Sequence, residues 1–302
     1  MIHKSYSSLL ILSLLWAVVA CTAHKQAHSP TVKVITTTGD RSKEFKTDTL
    51  ALFSADKTPN ANITLKPTEK FQTVYGFGSA ITGSTCYNLM QMSPADRKNF
   101  LTQTFSEIEG FGQNFVRISI GCSDFSLSEY TLCDTKGIDN FALTQEETKY
   151  VIPILKEILA INPKVQIIGS PWTPPRWMKV NNLTDLQPYN HWTSGQLNPA
   201  HYQDYALYFA KWLQAMKDNG LNVNAIQNEP LNRGNSVSMY MGWDEQLAFI
   251  KSALGKTLHD KGFAEVKIYL FDHNYNYDNM PSQQQYPLHI YKDTEASQYI
   301  TG

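Results

Sequence analysis

From Phe71 to Ile300 the chain alternates strand-length apolar runs with segments that carry helix start and stop signals, and few folds accommodate that rhythm. The runs are Phe71 to Ser79, Phe115 to Ile120, Val165 to Ser170, Leu221 to Asn228 and Val266 to Phe271. Between them, Ser93-Pro94 opens a helix, with serine as the cap and proline where no amide is needed. Thr144 and Glu147 form a capping box. Asn198-Pro199 starts a long helix that stops at Asn219-Gly220. Helices are also expected from Trp243 to about His259 and over Pro287 to Ile300. Strand–helix units in series imply parallel strands with helical crossovers. An open doubly wound sheet would carry a glycine-rich phosphate turn after its first strand, and Gly76-Phe77-Gly78 lacks the following spacing. The reading is an α/β fold, a (β/α)8 barrel of which residues 68–302 supply about five to six units.

A parallel barrel presents its chemistry at the C-terminal ends of its strands. Here those ends are Ser170-Pro171-Trp172, Asn228-Glu229 and Asp272-His273-Asn274. Glu229 is fixed between Asn228 and Pro230. A carboxyl at a barrel mouth, near apolar walls, can have its pKa raised and serve as a general acid. A capping or ion-paired glutamate before a proline turn would look the same. Asn228 could orient a ligand hydroxyl, or simply make a turn. The loop Ser170 to Lys179 is stiffened by three prolines and fixes two indoles, Trp172 and Trp177. A rigid aromatic platform suits a sugar face, because little side-chain entropy is lost on binding. Arg117, on a strand, could hold a carboxylate below the site, or be part of a buried ion pair. Asp124 and Asp272 could accept hydroxyls, or cap turns.

Other chemistries lack support. The net charge is -1 with no basic cluster, so nucleic acid is not an expected partner. No Gly-x-Ser-x-Gly elbow, Walker loop or His-Glu-x-x-His helix occurs. No metal or organic cofactor is expected. Cys86, Cys122 and Cys133 have no zinc-like spacing, and buried free thiols are the expectation.

The N-terminus reads as a targeting segment. Lys4 precedes a twelve-residue apolar run, Leu9 to Ala20, too short to span a bilayer comfortably. Val18-Val19-Ala20-Cys21 resembles the lipobox of bacterial lipoproteins, which makes residues 1–21 a signal peptide and Cys21 the lipidated residue. An ordinary signal peptide with an incidental cysteine is the alternative. A lipid-anchored protein of the bacterial cell envelope, with membrane contact only through that anchor, is expected. Residues 22–45 read as a polar tether and 46–67 as part of a small β element, with strands expected at Thr31 to Thr38 and Ile63 to Lys66.

Taken together, Tyr75-Gly76-Phe77-Gly78, Val116-Arg117-Ile118-Ser119, Ser123-Asp124-Phe125-Ser126, the Ser170–Trp177 loop and Gln227-Asn228-Glu229-Pro230 resemble glycoside hydrolase family 30, which contains glucosylceramidases and β-1,6-glucanases. The resemblance implies a barrel with a β-sandwich side domain, to which residues 31–67 give the first strands. It implies a carbohydrate or glycolipid substrate and a retaining double displacement, with Glu229 as acid/base and Trp172 and Asn228 in the sugar subsite. Two departures stand out. Many relatives carry an acid after the Gly-Phe-Gly strand, where this chain has Gly83. The nucleophile belongs on the seventh strand, and about 30 residues per unit put that strand at roughly residue 330. The expectation is that the 302-residue chain alone is inactive and unstable, because an open barrel exposes strand edges. A non-catalytic surface glycan-binding lipoprotein on a decayed barrel is the second reading. Gly83 fits it, and the retained Asn228-Glu229-Pro230 argues against it.

Overall fold

The computed structural model describes residues 31–52, 63, 65–228, 237–271 and 281–302. Cys21, Glu229 and Asp272 lie outside the described residues, and for Asn228 only the backbone is described. The chain divides into two compact units, at Gln72/Thr73.

The first unit contains a hairpin of β1 (Thr31–Thr36) and β2 (Lys46–Ala51), antiparallel, with Thr31 facing Ala51 and Thr36 facing Lys46. Here the structure departs from expectation. Strand β1 falls where a strand was expected, within the stretch also read as a tether, but its partner is Lys46–Ala51, whereas Ile63, Leu65 and Lys66 are irregular. The turn decides the pairing. Thr38 closes it by accepting from Arg41 N and donating its own amide to Lys43 O, at 3.0 and 2.9 Å, and the segment right after such a turn is the antiparallel partner.

The second unit carries strands β3 (Gly78–Ala80), β4 (Phe115–Ser119), β5 (Gln166–Ser170), β6 (Lys179–Val180), β7 (Gln196–Leu197), β8 (Ala225–Asn228) and β9 (Lys267–Leu270). Its sheet is parallel, in the order β3-β4-β5-β8-β9. Strands β6 and β7 form a separate antiparallel hairpin inserted after β5. Each sheet strand thus lies beside the previous one in sequence, which is how a barrel wall grows. The last residues add one isolated parallel bridge to β9, from Ile268 to Ile300, with Thr301 N donating to Ile268 O and Leu270 N to Gly302 O.

The crossovers are α1 (Gly83–Gln91) with α2 (Pro94–Phe105), α3 (Ile152–Ile161), α4 (Tyr202–Asp218), α5 (Trp243–Phe249) with α6 (Gly255–Asp260), and α7 (Tyr286–Tyr291). Single π turns lead into α3 and join α5 to α6. The expected caps are present: Ser93 Oγ accepts from Asp96 N, and Glu147 Oε2 accepts from Thr144 N at 2.8 Å. The helix expected over Pro287 to Ile300 is shorter. Asp293 Oδ1 takes the amides of Glu295 and Ala296, which ends α7 and starts a separate short turn.

The strand expected over Phe71 to Ser79 shrinks to Gly78–Ala80. Asn114 brackets the preceding residues, accepting from Phe77 N at 3.0 Å and donating to Tyr75 O at 3.1 Å. A Cβ on Gly76 would stand 1.9 Å from Asn114 Oδ1, so this bracket requires glycine. On the sheet's helix-covered face, Gly169 lets the indole of Trp212 on α4 touch the backbone; a Cβ there would lie 2.3 Å from the ring. Val116, Ile118 and Ile167 share that buried face. Period-two alternation then turns Arg117, Ile168 and Ser170 toward the barrel interior. Helix α4 seals the layer with fully buried Tyr205, Tyr208, Phe209 and Trp212. Among the described residues, no helix is long and apolar enough to cross a membrane.

Candidate functional site

At the C-terminal ends of the central strands, Arg117 on β4 reaches across to the next strand. Its Nη2 lies 3.3 Å from Ser170 Oγ at the tip of β5. Its guanidinium carbon stands 4.3 Å from the ring centre of Trp172, which is 9% exposed. A cation over an indole face is attractive, and more so when partly desolvated. Arg117, Ser170 and Trp172 therefore form one constellation on two neighbouring strands, whereas the sequence had suggested a carboxylate as the partner of Arg117.

The loop after β5 is built to hold that indole still. Pro171, Trp172, Thr173, Pro174 and Pro175 are all buried. Arg176 stands over Trp192 at 4.2 Å. Trp177, expected as a second platform, is tied elsewhere: its Nε1 donates to Cys133 O at 2.8 Å and its ring meets His201 edge-on. Lys179, on β6, is enclosed and donates to Thr173 Oγ1 and to the carbonyls of His191 and Ser238. Burial, with Arg176 nearby, lowers its ammonium to about 7.

Asp124 follows β4 and is exposed at the tip of a tight turn, where Ser126 N bonds Ser123 O and Ser123 N bonds Ser126 Oγ. Ser84 N on α1 donates to the neighbouring Phe125 O, which draws this turn to the end of β3. Strand β8 delivers its end at Asn228, in register with Leu270. The structure thus brings together Arg117 and Trp172, sets Asp124 on the rim, and leaves Glu229 and Asp272 outside the described residues.

Sequence reasoning missed the two groups that most shape this rim. One is Lys179. The other is Glu146, whose carboxylate fills the place that Gly83 leaves empty: a Cβ on Gly83 would stand 1.6 Å from Glu146 Oε1. Glu146 Oε2 accepts from Leu127 N at 2.9 Å, and burial raises this carboxyl above the usual range. Its neighbour Glu147 accepts from Tyr130 Oη at 2.6 Å. The signal that could have exposed Glu146 is the doublet itself. The capping box uses Glu147, so Glu146 had no assigned work.

A cavity of about 600 Å3 opens at the other end of the sheet, lined by Gln166, Asn224 and Lys267 at strand starts. In a parallel barrel that end carries stability and not chemistry. Cys86, Cys122 and Cys133 are free and buried, and burial pushes the first two thiols up to about 12, so they are inert. Among the described residues, no group of three or more His, Cys, Asp or Glu side chains could hold a metal ion.

A wall of consecutive parallel strands with helical crossovers, its polar and aromatic groups gathered at the C-terminal edge, defines a (β/α)8 barrel wall of the enzyme-bearing kind. The family model described as the glycosyl hydrolase family 30 TIM-barrel domain matches residues 74–302, and the chain belongs to that family. Lysosomal acid glucosylceramidase of Mus musculus is 31% identical over 255 residues, which are 80% of this chain and 47% of that protein. Endo-1,6-beta-D-glucanase of Neurospora crassa is 32% identical over 239 residues, 74% of this chain and 48% of that one. A solved endo-beta1,6-glucanase superposes with a TM-score of 0.82 at 58% identity, covering 89% of this chain and 59% of its own. SrfJ from Salmonella typhimurium, 24% identical with a TM-score of 0.78 over 90% and 59% of the two chains, shares the fold. The chain spans about half the length of the curated relatives it matches.

Proposed function

We propose that the full protein is a retaining β-glycosidase that cleaves β-1,6-linked glucan within the chain. The observation that carries the substrate is the 58% identity to a solved endo-beta1,6-glucanase, against 31% to a glucosylceramidase. The constellation at the strand ends supports a carbohydrate site. Arg117 holds one face of the Trp172 indole, and a pyranose stacks on the other. Asn228 and Asp124 bond sugar hydroxyls, as does Asp272. Beside the end of the first strand, Glu146 fills the space next to Gly83, the position at which the resemblance implies an acid in many relatives, so the wall beside the terminal sugar is built differently.

Glu229 protonates the glycosidic oxygen as the nucleophile attacks, then takes a proton from water as the glycosyl-enzyme is hydrolysed. The nucleophilic carboxylate is assigned to a barrel strand other than those described. The test is digestion of β-1,6-glucan by the full gene product, followed by NMR. A first product in the β configuration is expected, and a first product in the α configuration rules out retention. Glu229→Gln should lower turnover of glucan by about 10²–10⁴ with binding kept, as for loss of a general acid–base; unchanged turnover removes Glu229 from the mechanism. Lipidation of Cys21 would hold the protein in the bacterial envelope. Incorporation of labelled palmitate should be lost in Cys21→Ala, and label persisting in that variant refutes the anchor.

A further inference from the structure

Lys179 is 2% exposed, yet its side chain ends in an amine that every close neighbour meets as a donor. Nζ donates to Thr173 Oγ1 at 3.3 Å, to His191 O and Ser238 O at 3.0 Å each, and has Trp192 O at 3.4 Å. These acceptors belong to three separate stretches: the Trp172 loop, the excursion between β6 and β7, and the segment leading into α5. Backbone bonds stitch the last two together, from Ser238 N to Trp192 O and from Tyr240 N to Gly195 O. The Lys179 head group joins the Trp172 loop to that pair, through the residue next to the indole. Burying a charge is costly unless each proton finds an acceptor, so an apolar side chain would serve better if the space merely needed filling.

We propose that Lys179 is a positioning residue of the carbohydrate site, holding the Trp172 loop against its two neighbouring stretches and so fixing the indole on which substrate stacks. The inference rests on the reading of Trp172 as a sugar platform. Two groups grip the indole from different sides of the chain. Arg117 holds its face from β4, and Lys179 holds its loop through Thr173. Neither touches the reacting atoms. Release of the second grip lets the ring drift, which weakens binding more than it slows the chemical step.

The test separates KM from kcat in the full gene product with β-1,6-linked gluco-oligosaccharides. Lys179→Met keeps the apolar stem and removes the ammonium; Thr173→Val removes one acceptor at constant volume. With the indole misplaced, KM should rise about tenfold in Lys179→Met while kcat changes less than about threefold, since displacement of a positioning group acts on the bound geometry. Thr173→Val should raise KM about threefold in the same direction, and it carries the test if Lys179→Met does not fold. A purely structural role would lower kcat with the active fraction and leave KM unchanged. That result in either folded variant overturns the proposal. Wild-type protein inert on β-1,6-glucan overturns the substrate reading and this role with it. Active wild type with unchanged KM in the variants overturns this role alone.

Discussion

Strands β3 and β4 are neighbours in one parallel sheet, yet they live in different surroundings. Strand β4 alternates buried and half-buried residues, whereas all three residues of β3 are exposed. Just before β3, Tyr75 and Phe77 are 72% and 77% exposed. Composition differs, Gly-Ser-Ala against Phe-Val-Arg-Ile-Ser, and so does cover. Strand β4 has a paired strand on each side and helices over its outer face, while β3 has a pairing partner on one side only among the described strands. In a closed barrel every strand has two neighbours. The site residues Arg117, Ser170 and Trp172 sit on the covered side of this divide, which is where a side chain can be held in one geometry.

The largest expected effect tests that divide directly. Trp212→Ala, under Gly169 in the covered half, should cost about 3–5 kcal/mol through the cavity it leaves. Phe77→Ser at the exposed edge should stay within about 0.5 kcal/mol. Denaturant unfolding measures both, and equal losses would break the comparison.

A second effect concerns Glu245, buried at the start of α5, where it accepts from Gly242 N and Gln196 Nε2. Burial raises its carboxyl from 4.5 to about 7. A raised carboxyl adds stability that is complete below its unfolded value and is lost as pH rises through its folded value. The window here runs from about 4.5 to about 7. Glu245→Gln should therefore stabilise the protein at pH 8 relative to its effect at pH 4, by up to roughly 3 kcal/mol, because each tenfold change in proton affinity between folded and unfolded chain is worth about 1.36 kcal/mol. A pH-independent difference would show that the group is not titrating in the fold.

A smaller effect sharpens the rim beside β3. Gly83→Ala should cost about 1–3 kcal/mol, because Glu146 must leave its bond to Leu127 N. In Glu146→Ala the same glycine substitution should cost under about 1 kcal/mol, a coupling that a double-mutant cycle reads. Additive losses would mean that Glu146 moves aside freely.

Most of the frame was legible because it is written in local signals. Ser93 and the Thr144–Glu147 box act within one turn, and five strand-length runs announce five strands. Arg117 and Trp172 were each singled out from their places on a strand and in a strand-end loop, but their contact with one another was not. What failed was pairing across distance. Ile63 to Lys66 has strand-forming residues, but a hairpin takes the segment its turn delivers, Lys46–Ala51. Trp177 looked free because its bond to Cys133 O comes from another loop. Lys179 and Glu146 were invisible for the same reason, since their partners come from loops that meet only in three dimensions.

Gly83 and Glu146 also constrain how this protein can change over time. Read along the chain, position 83 simply carries no acid. In space a carboxylate is there, lent by a residue some sixty positions later (146 − 83 = 63). An aspartate cannot enter position 83 while Glu146 remains, and removal of Glu146 first leaves Leu127 N without its acceptor. Each single step is penalised and only the pair of changes is open. Position 83 is therefore held at glycine by a neighbour far away along the chain.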